Sequence, residues 1–371
     1  MEELFVINEM NDGPKIKVIG VGGGGNNMIN YIAEKGIKDV ELIAANTDMQ
    51  ALKTSKAHKK IQLGSNLTKG LGAGMRPELG AKAAEESYEE IKDTLKGADL
   101  VFISAGMGGG TGTGAAPIIA KAAREIGALT IGVVTKPFTF EGPKRRKLAE
   151  IGTNELKNEA NSIVVIPNDK ILTIIDRNVG RREAFSLVDD VLYKAVSGIA
   201  NMVISYGEND INVDFNDLKT VMSHKGLALM GVGEEKGENA AFNAIKKAIE
   251  SPLLDNISID GAMGVLVHFT LHEDYPLVEM EESMNLIYEK ADDDADIIFG
   301  TTTDNSLAPD EIKVTIVATG FEKDNKPSNK PDIKVQNKVN ELLMKKKVSG
   351  DSIELDSDTL DIPSWIRKAK D

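Results

Sequence analysis

The chain has 371 residues, more than one ordinary core holds and enough for two domains with extra segments. Hydrophobic residues make up 41% and charged residues 27%, and 58 acidic side chains against 44 basic ones leave a net charge of -14. That acid excess argues against a nucleic-acid binder, whose affinity comes from clustered Lys and Arg, and the lack of cysteine excludes disulfides, a thiolate nucleophile and a cysteine zinc site.

Met1 to Lys15 carries acids before any base and has no apolar core of the kind a secretory signal needs. No stretch approaches the roughly 20 apolar residues of a membrane helix. A cytoplasmic protein without direct membrane insertion is expected.

From residue 15 to about 166, short β-branched runs alternate with helical patterns. Strands are expected at Lys15–Gly20, Val40–Ala45, Leu100–Ala105, Leu129–Thr135 and Ser162–Ile166, with helices such as Glu78–Leu95 and Thr113–Ile126 between them. This rhythm predicts an α/β domain on a parallel sheet with helices on both faces and ligands at the carboxyl ends of the strands. A long helical pattern follows, Arg182–Ile204, whose apolar residues from Ala184 to Val203 keep helical spacing. At 1.5 Å per residue it spans about 34 Å, enough to cross a domain as a central scaffold.

Strands at Ala228–Gly233, Met263–Leu271, Ile297–Gly300 and Lys313–Thr319, with helices near Glu238–Glu250 and Val278–Ala291, predict a smaller mixed α/β unit. The expected division is a flexible N-terminus over 1–14, a first domain over 15–181, the central helix over 182–206 and a second domain over 207–321. Polar residues in charge blocks make 322–360 a disordered linker, leaving a tail over 361–371.

Gly20-Val21-Gly22-Gly23-Gly24-Gly25 follows a strand and opens a helix, matching Gly-x-Gly-x-x-Gly. Such glycines let backbone N–H groups approach phosphate at a helix N-terminus. Alone, the pattern suits an NAD-dependent oxidoreductase, or merely a tight turn. Gly106–Gly114 also lies between a strand and a helix, and six of its nine residues are glycine. Thr111 and Thr113 place hydroxyls among amides that can form an anion nest. Two such loops suit a nucleoside triphosphate better than a dinucleotide, and no Walker sequence ending in Gly-Lys-Ser/Thr occurs.

Gly106–Gly114 with Ala115-Ala116-Pro117 resembles the signature loop of the tubulin/FtsZ family of GTPases, with the closer likeness to its bacterial cell-division branch. Supporting segments are Ile16–Asn27, Asn46-Thr47-Asp48, Gly70–Gly74, Pro137–Arg145, Pro167-Asn168-Asp169, Asn212–Phe215 and Leu360–Pro363. The resemblance covers roughly residues 15–321 and the extreme tail. It implies GTP and GDP as substrate and product, Mg²⁺ with the phosphates, room for a monovalent cation, and filaments forming a division ring at mid-cell.

By this resemblance Gly22, Gly23, Gly24, Gly25, Asn26 and Asn27, with Gly108, Gly109, Gly110, Thr111, Gly112 and Thr113, hold the phosphates and nearby ribose. Gly72, Ala73 and Gly74 lie near the γ-phosphate, although Met75-Arg76 departs from the family pattern. Glu141 and Arg145 match ribose-side contacts, and Asn168, Phe185 and Asp189 match residues that hold or stack on guanine. By spacing alone Phe185 reads rather as an ordinary core aromatic.

Asn212, Asp214 and Asp217 match a loop that enters the neighbouring subunit's site and polarises the attacking water. Locally, Asp214 and Asp217 read as a helix N-cap and its N3 partner, and both roles can hold at once. In the tail, Asp361 and Pro363 start a short helix that puts Ile362, Trp365 and Ile366 on one face, followed by Arg367. The matching family peptide binds membrane-anchoring and regulatory division proteins. His268 and His272 lie in a strand-like segment with no third ligand nearby, so no metal held by protein side chains is expected.

Overall fold

Ile16–Val21 is buried at every position, as expected of a strand covered on both faces, and it forms β1 of the computed structural model. The described residues are 13–175, 178–204, 210–224, 226–250, 259, 261–292 and 294–321. The expected linker and tail, and all but residues 13 and 14 of the expected flexible N-terminus, lie outside them.

After β1 come α1 (Gly22–Lys35), β2 (Val40–Asn46), α2 (Met49–Thr54), β3 (Lys59–Gln62), α3 (Ser65–Thr68), α4 (Pro77–Glu86) and α5 (Tyr88–Leu95). Then follow β4 (Leu100–Gly106), α6 (Thr111–Glu125), β5 (Leu129–Lys136), a 3₁₀ turn at Thr139–Glu141, α7 (Pro143–Glu159), β6 (Ser162–Pro167) and α8 (Asn168–Ile174). The long helix is α9 (Arg181–Ile204). The remainder is α10 (Phe215–Ser223), β7 (Gly226–Lys236), α11 (Ala240–Ile249), β8 (Gly264–Leu271), α12 (Leu277–Tyr288), β9 (Asp296–Thr303) and β10 (Glu311–Thr319).

The helix expected over Glu78–Leu95 is two helices, broken at Ser87. The Ser87 hydroxyl accepts the Gly64 N–H at 3.1 Å, and serine readily trades helical bonds for such a partner. Strand β3 was not expected, because Lys59 and Lys60 are exposed and only Ile61 is buried. Helix α7 was missed because it is largely polar and buries only Ala149, Gly152, Thr153 and Leu156.

All ten strands join one sheet in the order β3-β2-β1-β4-β5-β6-β7-β10-β8-β9. The expected smaller α/β unit therefore shares its sheet with the first. The junction is short: β6 and β7 pair in parallel only through Ser162–Val164 with Gly226–Ala228. Beyond it, β10 runs antiparallel to β7 and β8, and β8 is parallel to β9.

Helix α9 covers one face of this sheet across the junction. Its buried Val188, Leu192, Val196, Ile199 and Val203 share a core with Val18 and Phe102 on one side and Leu266 and Val317 on the other. Gly198 lets it approach β10, since an added Cβ would lie 2.9 Å from Thr315 Cγ2. The opposite face of the parallel half is packed by α4, α5, α6 and α7, and a third core lies beneath α11 and α12. Among the described residues no helix is long and apolar enough to cross a membrane.

His268 is buried in β8, with Nε2 3.0 Å from Thr302 Oγ1. Burial lowers its pKa to about 4, so the ring is neutral.

Candidate functional site

Strands β1 and β4 are neighbours in parallel register, Val21 opposite Ala105, so they end side by side. Each leads directly into a helix. Gly22 is already the first residue of α1, and Met107–Gly110 carries β4 into α6. Two helix N-termini therefore meet at the carboxyl edge of the sheet, with unpaired N–H groups and the positive ends of two helix dipoles together. That is an anion site by construction.

Gly22 and Gly108 make the turns, with φ of +70° and +97° that other residues rarely adopt. They are also in contact range of their surroundings: an added Cβ at Gly22 would lie 2.8 Å from Gly112 N, and one at Gly108 2.8 Å from the Arg145 carbonyl oxygen. Gly24 backs onto Gly106 in the same way, at 3.0 Å. Gly23 and Gly109 instead face open space, with nothing within 4 Å of where a Cβ would stand.

Beneath the glycines the polar side chains hold the turns. With its amide set to suit its neighbours, buried Asn26 donates to the Gly20 and Gly22 carbonyls at 3.0 and 3.2 Å and accepts from Asn46 Nδ2 at 3.2 Å. Thr113 is buried, and its hydroxyl accepts the Gly108 N–H at 2.9 Å. It braces the loop from below. Thr111 is half-buried, with its hydroxyl 2.6 Å from that of Thr47. Sequence reasoning quoted Thr47 only as part of a supporting segment.

The Gly72–Gly74 loop closes one side. Gly72 N–H donates to the Thr47 carbonyl at 3.2 Å, and buried Ala73 packs against Gly110. Next to exposed Gly74, Met75 has φ +56°, a left-handed conformation that costs a side-chain-bearing residue about 1–2 kcal/mol. The departure from the family pattern thus falls on a strained residue.

The other side is aromatic and acidic. Phe185 and Asp189, one turn apart on α9, line a cleft of about 580 Å³ with Asn27 and Tyr31 of α1 and with Arg181 and Arg182. Phe185 is 42% exposed, which removes its reading as a core aromatic. Its ring meets Phe138 edge-on at 5.5 Å, and Phe138 stacks on Phe140 at 5.0 Å. Tyr31 was not singled out from sequence, although it lies one helical turn from Asn27. It donates to Asp190 at 2.8 Å, and burial together with that carboxylate pushes its pKa up to about 12.

Asp189 differs from Asp190. Burial pushes its carboxyl up to about 6, so its charge is poorly solvated in the open cleft. Asn168, buried at the start of α8, has an Oδ1 without a hydrogen-bond partner. Both are acceptors waiting for donors. Glu141 accepts the Phe138 N–H at 3.0 Å and pairs with Arg145. Asp169 accepts the Thr139 N–H at 2.8 Å, tying the loops after β5 and β6 together.

These contacts gather 22–27, 72–74, 108–113, Glu141, Arg145, Asn168, Phe185 and Asp189 along one edge. Asn212, Asp214 and Asp217 are not among them. They are exposed, and Asp214 caps α10 by accepting the Asn216 N–H at 2.8 Å. Their loop lies on β9, six places from β4 in the sheet order. At about 4.8 Å per strand that is roughly 29 Å, beyond the reach of any side chain. The tail residues 361–367 lie outside the described residues.

The family model described as "Tubulin/FtsZ family, GTPase domain" matches residues 15–176, and that described as "FtsZ family, C-terminal domain" matches 226–322. The protein is a GTPase of tubulin-like fold that converts GTP to GDP and phosphate. The chain belongs to the Tubulin/FtsZ family. It is 45% identical to an M. jannaschii FtsZ described as an empty dimer, covering 83% of this chain and 89% of that one with a TM-score of 0.78. It is 44% identical to a mutant M. jannaschii FtsZ, covering 83% and 91% with a TM-score of 0.77. CetZ2 from Haloferax volcanii, described as a GTPγS-bound protofilament, shares the fold at 20% identity, with 90% and 99% covered and a TM-score of 0.70.

The strained carboxyl gives a prediction for the nucleotide-free protein. A carboxyl whose folded pKa is raised costs the fold stability as pH rises from the ordinary aspartate value of 3.8 through about 6. Asp189→Asn is therefore expected to stabilise the protein by about 1–3 kcal/mol at pH 7 and by almost nothing near pH 4. Urea unfolding at both pH values measures it, and an equal gain at both would refute the burial account.

Proposed function

We propose that this chain polymerises head to tail into filaments of the division ring, each active site being completed by the next subunit. The observation that supports it is the separation of the two halves. The phosphate cradle lies at the carboxyl edge of β1 and β4, while exposed Asn212 and Asp214 stand on the loop against β9 and exposed Asp217 follows in the first turn of α10. A loop too distant to serve its own cradle can serve that of a neighbour. Such a contact joins two different surfaces and does not close on itself, so it propagates as a filament. The M. jannaschii dimer and the CetZ2 protofilament are consistent with self-association.

In this reading the amides of Gly22–Gly25 and Gly108–Gly112 hold the phosphate oxygens, and Gly72–Gly74 lies beside the terminal phosphate. Asp214 and Asp217 orient and polarise the water, with Asn212 beside them. Mg²⁺, when bound, would supply positive charge to shield the phosphates. Among the described residues no three His, Asp or Glu side chains form a metal cage, so the ion would be held chiefly by phosphate oxygens and water, as Mg²⁺ usually is. Asp214→Ala should bind GTP and assemble, yet hydrolyse it at least about 100-fold more slowly. Wild-type phosphate release from purified Asp214→Ala would sink the in-trans mechanism.

Guanine is read by the acceptors that line the cleft. The Asp189 carboxylate takes the N1–H and N2 amine, which adenine lacks, Asn168 Oδ1 meets a further donor, and Phe185 offers its free face. Only ionised Asp189 can accept both bonds. GDP affinity should therefore fall as pH drops through about 6, and the slope should vanish in Asp189→Asn; calorimetric titration from pH 5 to 8 reads both. A pH-independent affinity in the unsubstituted protein would exclude Asp189 from the base.

The tail around Asp361, Ile362, Pro363, Trp365, Ile366 and Arg367 recruits membrane-anchoring and regulatory division proteins, which holds the ring at mid-cell. Its support is an aromatic and aliphatic face after a polar linker. Truncation after Leu360 should leave GTP turnover intact and abolish capture of an anchor in a pull-down; undiminished capture would refute the assignment.

A further inference from the structure

The carboxylates assigned to catalysis sit on a loop that begins a few residues after α9 ends, and such a loop would be free to wander unless something held it. It is held at three consecutive levels by β9. Asp210 Oδ1 accepts the Thr303 hydroxyl at 2.7 Å. Ile211 makes a reciprocal pair with Thr301: its N–H donates to Thr301 Oγ1 at 2.8 Å, and its carbonyl accepts the Thr301 N–H at 2.9 Å. Val213 is 2% exposed and fills the space where a side chain on Gly300 would stand, since an added Cβ there would overlap its Cγ2.

β9 is the last strand of the sheet and pairs only with β8. Its outer edge would otherwise present open backbone groups. At Thr301 the Ile211 backbone covers that edge like one residue of an eleventh strand. Buried Val213 and exposed Asn212 and Asp214 then alternate along the loop. Pinning residues 210, 211 and 213 leaves the chain little choice over where Asp214 begins α10.

We infer that Thr301, with Thr303 and Gly300, is a positioning site on β9 that sets the Asp214 loop for attack in the neighbouring subunit. These residues act through the loop, as positioning groups rather than catalytic ones. The inference rests on the in-trans reading of Asp214. Displacement of a water-orienting group by about 1 Å can cost 100-fold in rate, so a clamp of this kind affects turnover without affecting nucleotide affinity.

The test uses the full chain and four variants. Thr301→Val keeps the shape and removes the acceptor for Ile211, Thr301→Ser keeps the hydroxyl, exposed Thr303→Val releases Asp210, and Asp214→Ala is the catalytic control. GTP turnover per sedimented subunit, GDP affinity and amide hydrogen exchange over Ile211–Asp214 are measured for each. Thr301→Val should lose about tenfold or more in turnover with unchanged GDP affinity and sedimentation, and its Ile211 amide should exchange faster. Thr301→Ser should restore both, and Thr303→Val should lie between. Turnover within twofold of wild type in both valine variants, with Asp214→Ala inactive, would overturn the clamp and spare the in-trans mechanism. Full turnover in Asp214→Ala would overturn the reading beneath it. Should Thr301→Val fold poorly, Thr303→Val carries the decision, because its side chain is at the surface.

Discussion

Two parallel strands end together and each becomes a helix with almost no loop between. Everything else in this molecule depends on that. The geometry brings unpaired N–H groups and two helix dipoles to one place, and the backbone is so crowded that Gly22 and Gly108 leave no room for a side chain. In the proposed cradle, phosphate would be held without a lysine, by peptide groups that the fold cannot pair with one another, which is compatible with a net charge of -14.

The base side works on a different principle. Asp189 and Asn168 are acceptors left partly dehydrated and unpaired, each an expense that a folded protein keeps for a reason. Both sit at elements that carry structure beyond the site: Asp189 on α9, which packs across the sheet junction, and Asn168 at the first residue of α8, directly after β6, the strand that meets β7.

Much of this architecture was legible in the residues. Runs such as Ile16–Val21 and Leu100–Ala105 are apolar on both sides and β-branched, so only a doubly covered parallel strand suits them. What escaped was whatever depended on a distant partner. The break at Ser87 exists because Gly64 offers it a donor, and no local pattern records that. The β6–β7 junction rests on three residue pairs between segments some sixty residues apart, so no local pattern records that one sheet runs through both domains. Helical spacing placed Phe185 and Asp189 on one face but could not say whether the face was covered. Thr113 belonged to the glycine loop in sequence, yet its hydroxyl turns inward to Gly108, a choice of rotamer that spacing does not encode.

The distance between cradle and carboxylates has a consequence for control. If Asp214 stood beside its own cradle, every nucleotide-loaded monomer could hydrolyse, and the free pool would be spent before assembly. With the loop held on β9, roughly six strands away, a monomer can bind nucleotide and still lack the groups that orient water. In the proposed in-trans reading, hydrolysis is then tied to the formation of a specific heterologous contact. The same arrangement demands a rigid mount, because a site assembled from two bodies inherits the positional error of both. The loop is accordingly short, pinned to an edge strand by backbone and threonine hydroxyls, and seated by a buried valine. Under that proposal, rigidity far from the phosphate is a requirement of chemistry at the phosphate.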